Sequence, residues 1–160
     1  MDIIYRKIEK RDNEILSRLI KKVFVEFGID IPGTVYTDPT TDALYELFQT
    51  TGSVYWIAEE NNVMLGGCGI YPTPGLPEGY AELVKLYLSA EARGKGIGNV
   101  LMQKSMESAK ESGYTHLYLE SFPDLSKAVS LYVKNGFMHL EKALGCSEHY
   151  ACTIWMVKKL

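Results

Sequence analysis

Residues 80–102 read YAELVKLYLSAEARGKGIGNVLM, and the turn within them, Arg93-Gly94-Lys95-Gly96-Ile97-Gly98, decides the fold. Before the turn, Ala81 to Leu88 predicts a strand. After it, Asn99 to Ser112 predicts a helix that Gly113 stops. A glycine-rich turn that opens a helix leaves several backbone N–H groups without an intrahelical partner. Those groups, the positive end of the helix dipole and the side chains of Arg93 and Lys95 make a ready anion site. Glycine lets such a backbone close on a phosphate with no Cβ in the way.

Three nucleotide-type readings compete for the turn. A phosphate-binding NTPase loop needs G-x-x-x-x-G-K-[ST], but Gly96 stands where the magnesium-holding hydroxyl belongs. A dinucleotide fingerprint needs G-x-G-x-x-G, and Gly94-x-Gly96-x-Gly98 is one residue short. The third is the pyrophosphate loop of acyl-coenzyme A transferases, [RQ]-x-x-G-x-[GA], which Arg93, Gly96 and Gly98 match in register. A plain Gly/Lys-rich surface turn is the non-functional alternative.

The flanks make the match specific. Residues 80–102 resemble the acetyl-CoA binding core of the GNAT superfamily of N-acetyltransferases. Residues 126–137, SKAVSLYVKNGF, resemble its next motif, a helix that carries a tyrosine and ends in Asn/Gly-Gly-Phe. The spacing between the two blocks also fits. The second half of the chain matches strongly; the first half fits as an order of elements. The resemblance implies the α/β GNAT acyltransferase fold, a mixed central sheet flanked by helices. It implies an enzyme that moves an acetyl group from acetyl-CoA directly to a primary amine of a small molecule or peptide. Acetyl-CoA is then a co-substrate, no metal is needed, and a homodimer is an allowed assembly. The implied coenzyme contacts are Leu86, Tyr87 and Leu88, then Arg93, Gly94, Lys95, Gly96, Ile97 and Gly98. Ser126 joins them, standing where the family often has Asn.

Acetyl transfer needs an amine that loses its charge, a stabilised tetrahedral oxyanion and a proton for the leaving thiolate. The run Ala81-Glu82-Leu83-Val84 resembles the A-E-[IL]-V run of the histone acetyltransferase branch, which makes Glu82 the candidate base. A carboxylate in a partly apolar sheet has a raised pKa, suited to base work near neutrality. Glu120 is the other choice. The structural alternative for Glu82 is an ion pair, with Lys85 as a partner. Tyr132 stands where the family's tyrosine faces the coenzyme sulfur, so it is the candidate acid. It also shares a helical face with Leu125, Ala128 and Val129, so a purely core role competes. The oxyanion donor falls to a backbone N–H near Leu86 to Leu88. Many family members splay the central strands at a bulge there, freeing backbone to pair with the pantetheine amides.

Loops 28–40, 71–79 and 142–150 are expected to frame the acceptor, with Asp30, Asp38, Glu78 and Glu148 as the available carboxylates. His149-Tyr150 falls on the acceptor side in this fold. His116 reads as structural and Trp56 and Trp155 as core, and His139 follows the Gly-Phe turn with no partner in the sequence. Three readings from other classes remain: a non-catalytic acyl-CoA-binding module, an NTPase and a structural interaction domain.

Composition agrees with a compact enzyme. The chain has 160 residues, expected to form one domain over 1–160, with 46% hydrophobic and 23% charged residues. A net charge of -3 argues against nucleic-acid or anionic-membrane partners. Neither a membrane-spanning run nor a signal-peptide layout is expected. Cys68, Cys146 and Cys152 lack zinc-ligand spacing and read as reduced thiols of a cytoplasmic protein.

The remaining elements follow from periodicity. A short strand around Ile3, Tyr5 and Ile8 leads to a helix capped by Asp12, with Ile15, Leu16, Leu19, Ile20, Val23, Phe24 and Phe27 at helical spacing, stopped by Gly28. A second helix is expected over 41–49. A hairpin turns at Asn61-Asn62 between strands at 54–58 and 63–70. Strands at 80–88 and 115–121 flank the glycine-loop helix. A helix over 125–135 ends at Asn135-Gly136-Phe137, and a last strand covers 151–157.

Overall fold

The computed structural model describes residues 2–145 and 149–160. Its strands are β1 (Ile4–Lys7), β2 (Val54–Glu60), β3 (Val63–Tyr71), β4 (Tyr80–Leu88), β5 (His116–Ser121), β6 (Met138–Leu140) and β7 (Ile154–Lys159). Among the described residues these seven form one mixed sheet, ordered β1-β2-β3-β4-β5-β7-β6. Helices α1 (Asn13–Glu26) and α2 (Leu44–Leu47) cover one face. Helices α3 (Ile97–Glu111) and α4 (Ser126–Lys134) cover the other.

Local sequence explains most of these elements. In α1, Leu16, Ile20, Val23 and Phe24 are buried at helical spacing, while Ile15 of the same expected stripe is exposed. Gly28 follows at φ +69, which stops the helix. Asn61 and Asn62 both sit at positive φ, the geometry of a tight hairpin turn between β2 and β3. β4 and β5 pair in parallel across α3, giving the expected crossover.

Four expectations shift. Asp12 precedes α1 but does not cap it with its side chain. Its carboxylate instead accepts two 2.8 Å bonds from Arg6, which also grips Glu59 at 3.0 Å, tying β1 and β2 to the start of α1. Long-range charge pairing outweighs the local cap here. The second helix is short, because Pro39–Asp42 forms a separate 3-10 turn. The last strand begins at Ile154, later than expected, and runs to Lys159. β6 has no counterpart among the expected elements: three residues carry no periodic signal, and pairing with β7 creates the strand.

The centre of the sheet parts. β4 pairs with β5 at Tyr80, Ala81 and Glu82 and then separates from it, while staying on β3 as far as Leu88. The cause is a bulge in β4. Gly69 faces Val84 and Gly67 faces Tyr87, so β4 spends one extra residue. Lys85 stands within it at φ +55. The extra residue flips the strand's alternation. Val84 and then Tyr87 pack on the α1 side, with the Tyr87 ring 5.4 Å from Phe24, while Leu86 and Leu88 pack on the α3 side. Tyr55 underpins the bulge: its buried hydroxyl donates to the Lys85 carbonyl at 2.7 Å. Gly67 and Gly69 make the room, since a Cβ on Gly67 would lie 2.4 Å from the Tyr55 ring.

Tyr55→Phe removes that donor and leaves a carbonyl short of a partner. We expect a loss of about 1–3 kcal/mol in stability, measured by urea unfolding.

Candidate functional site

The glycine turn lies as its sequence requires. Gly94 and Gly96 adopt φ +77 and +78, and a Cβ built on either meets nothing within 4 Å. The backbone therefore faces open space. Gly96 is the N-cap of α3 and no side chain caps the helix, so the first-turn N–H groups point outward unclaimed by a cap. These groups bound a cleft of about 560 Å³. Its walls include Leu86, Tyr87, Leu88, Arg93, Gly94, Gly96, Ile97, Gly98 and Ser126, nine of the ten residues expected to hold the coenzyme. Lys95 is exposed and lies outside the lining. Arg93 donates to Glu26 at 2.5 and 3.0 Å and to the Leu88 carbonyl at 3.2 Å, and lies over the Phe27 ring. It thereby fastens the turn to the end of α1.

A second, smaller pocket of about 50 Å³ sits in the gap between β4 and β5. Glu82, Lys85, Glu120, Tyr132, His149 and Cys152 all line it. Glu82 is the last β4 residue paired with β5, and it is buried. Burial raises its carboxyl to about 7, while the 2.6 Å bond from Thr73 pulls the other way; Glu120 adds to the rise and Lys85 opposes it. The expected alternative, an ion pair with Lys85, does not form among the described residues; Thr73 is the hydrogen-bond partner. Glu120 accepts from the Tyr118 hydroxyl at 2.7 Å through one oxygen, and the other oxygen is buried without a partner among the described residues.

Tyr132 is 7% exposed on α4, edge-on to Phe137 at 5.9 Å. Burial raises its hydroxyl above the ordinary phenol range, so it stays protonated at neutral pH. Its expected core role and its place in the pocket coexist. On the far wall, His149 Nε2 lies 2.8 Å from Asp38 Oδ2. Burial pushes Asp38 up, but the bonds from His149 and Thr40 outweigh it and hold the carboxyl below its usual value. Of the four carboxylates expected near the acceptor, Asp38 is thus placed beside the pocket through His149. Asp30 and Glu78 do not line it, and Glu148 lies outside the described residues.

The two cavities meet: Leu86, Tyr87 and Leu125 line both. Against this geometry, a sequence profile of the acetyltransferase (GNAT) family matches residues 20–137, a span that includes the parted strand, the glycine turn and α4.

The chain belongs to the GNAT family.

It is an acyltransferase enzyme of that family. A relative within it, described as uncharacterized N-acetyltransferase YjgM of Escherichia coli (strain K12), is 35% identical over 158 residues, covering 98% of this chain and 95% of its own. A GNAT-family acetyltransferase structure from Staphylococcus aureus Mu50 shares the fold at TM-score 0.87 and 20% identity, covering 99% of both chains. The structure of the PaiA N-acetyltransferase from Thermoplasma acidophilum, in complex with coenzyme A, shares it at TM-score 0.74 and 22% identity over 100% of both chains.

In this GNAT chain, sequence reasoning missed Lys85 as a pocket residue, Thr73 as the partner of Glu82 and Glu26 as the anchor of Arg93. No motif joins these groups; they converge from different elements.

Glu82 binds its proton more tightly folded than unfolded. Between about pH 4.5, its ordinary value, and about 7, the native state holds more protons, so this group's contribution to stability falls as pH rises. We expect Glu82→Gln to match wild type near pH 4.5 and to gain on it progressively up to about pH 7, followed by denaturant midpoints across that range.

Proposed function

We propose that this enzyme transfers an acetyl group from acetyl-CoA directly to a primary amine. The observation that carries the reading is the meeting of the two cavities at Leu86, Tyr87 and Leu125. A coenzyme lying in the larger cleft, its pyrophosphate on the open backbone of Gly94 to Gly98, would bring its thioester to the acceptor pocket. The coenzyme A complex of the Thermoplasma protein supports the choice of cofactor. The turn fits a pyrophosphate because Gly94 and Gly96 leave free the volume a Cβ would fill. The neighbouring Lys127 and Lys134 add positive charge to the cleft.

In this reading Glu82 takes the proton of the incoming ammonium; a carboxyl near pH 7 is matched to that task. The neutral nitrogen attacks the thioester carbonyl. Backbone N–H groups freed by the bulge at Lys85, near Leu86 to Leu88, stabilise the oxyanion. As the tetrahedral intermediate collapses and the C–S bond breaks, the Tyr132 hydroxyl gives its proton to the thiolate; the surplus proton of the attacking nitrogen, lost as the amide forms, passes through solvent to restore the phenol. The hydroxyl has no hydrogen-bond partner among the described residues, so it is free to donate. No covalent enzyme intermediate is needed. We read the chain as a single catalytic domain acting in the cytoplasm, a reading supported by the free, buried thiols of Cys68 and Cys152.

Acetyl-CoA at one hundred times its dissociation constant should stabilise the protein by roughly 2.7 kcal/mol. Gly96→Asp, which puts a side chain and a negative charge into the turn, should abolish that shift whatever its effect on the ligand-free melting temperature. An unchanged melting curve of the wild type in millimolar acetyl-CoA would refute the reading.

Tyr132→Phe keeps the ring packing and should lower kcat about tenfold to a hundredfold or more while the acetyl-CoA shift survives. Thiol release under conditions where chemistry limits the rate checks it. Wild-type turnover would return Tyr132 to a purely structural role.

A further inference from the structure

The acceptor pocket holds groups of opposite charge that make no direct hydrogen bond or close ion pair with one another among the described residues. Lys85 lines it from the bulge, at φ +55. A side chain in this left-handed region is strained, and glycine is the usual occupant of such a bulge position. Tyr55 fixes the Lys85 carbonyl with a hydrogen bond, so the backbone is committed to that geometry. Among the described residues the Lys85 ammonium makes no hydrogen bond or close ion pair, and it interacts with Asp38 and Glu82 only at longer range. Also lining the pocket, one oxygen of Glu120 is buried with no hydrogen-bond partner among the described residues, and Glu82 takes a hydrogen bond from Thr73 alone. Asp38, the other carboxylate near Lys85, is already taken by His149 and Thr40.

Leaving a cation and a carboxylate oxygen without a direct partner in one pocket is costly unless something else completes both. A plain amine completes one of them. It brings a positive charge to Glu82 and Glu120, but sets that charge near Lys85 and leaves Lys85 unmatched. A peptide N-terminus does the same, because its amide carries no negative charge. An acceptor with an amine and a carboxylate a few ångströms apart satisfies both ends. Burial pulls Lys85 below the usual lysine range, the charges of Asp38 and Glu82 oppose that pull from a distance, and an arriving carboxylate in direct contact would add to their opposition.

Resting on the transferase reading above, we infer that the acceptor is a free amino acid or a close zwitterionic analogue, with its carboxylate held by Lys85 and its amino group between Glu120 and Glu82. Lys85 is then a specificity-determining residue. Its part is to fix the acceptor so that the nitrogen, not the carboxylate, faces the thioester. The backbone strain at this position is consistent with a side chain retained for binding rather than for folding.

The test pairs acceptors that differ in one charge. Thiol release from acetyl-CoA is measured with each proteinogenic L-amino acid, its carboxamide and its decarboxylated amine. The free amino acids that react should exceed their own amides and decarboxylated amines in kcat/KM by about tenfold to a hundredfold, the span of a hydrogen bond to a charged group. Lys85→Met keeps the length of the chain and removes the charge. It should raise KM for the amino acid by a similar factor, change kcat far less and erase the preference; Lys85→Arg should restore part of it. The acetyl-CoA melting shift reports whether each variant is folded. Wild-type enzyme that acetylates amides or decarboxylated amines as well as the free amino acids overturns the inference and leaves the transferase reading standing. Absence of transfer to every acceptor, alongside an absent acetyl-CoA shift, overturns both.

Discussion

The hydroxyl of Tyr55 donates to the carbonyl of Lys85, and the parted centre of the sheet depends on that bond. A bulge leaves a strand with backbone groups that the ladder no longer serves. Here a side chain from β2 reaches across β3 to serve one of them. It can do so because β3 gives up its own side chains at Gly67 and Gly69. Three strands therefore cooperate in one irregularity. The result is a β4 that starts beside β5, leaves it after Glu82, and turns its next residues to new faces. Both cavities open along the segment so displaced.

Electrostatics in the gap follow from the same geometry. A strand pair that separates brings polar side chains into a space closed by Phe122, Leu125 and Tyr132. Desolvation raises two of them: the Glu82 carboxyl to about 7 and the Cys152 thiol to about 12. Cys152 is thus a neutral wall at physiological pH and not a competing nucleophile. The Arg6–Asp12–Glu59 cluster shows the opposite outcome at the β1 edge of the sheet. There, carboxylates matched by a guanidinium stay below their usual range. Matched charges lock elements together there, whereas the cavity keeps one Glu120 oxygen without a hydrogen-bond partner among the described residues.

Much of this is legible in the sequence wherever the cause is local. The Asn61-Asn62 turn, the glycine turn before α3 and Gly136 at φ +92 after α4 each announce their backbone geometry by residue type. So do the buried stripes of α1 and α3. Glu82 and Tyr132 stand out through a family resemblance, and they line one pocket. What stays hidden is non-local. The run Leu83-Val84-Lys85-Leu86 reads as an ordinary strand, and a lysine at positive φ gives no warning where a glycine would have. Asp12 reads as a cap because nothing near it in the chain reveals that Arg6 meets it together with Glu59 across the sheet. β6 exists only because β7 lies beside it.

The rims of the sheet contrast with its interior. Its two outermost strands, β1 with four residues and β6 with three, are the shortest of the seven described, and β1 carries Arg6 and Lys7. Short, charged borders discourage another chain from zipping onto a sheet. The long stretch of backbone that has left its neighbour lies instead in the interior, between β4 and β5, hemmed in by helices on both faces. The molecule has thus moved its most inviting edge from the perimeter, where it would court aggregation, to the inside, where a ligand of limited width can use it.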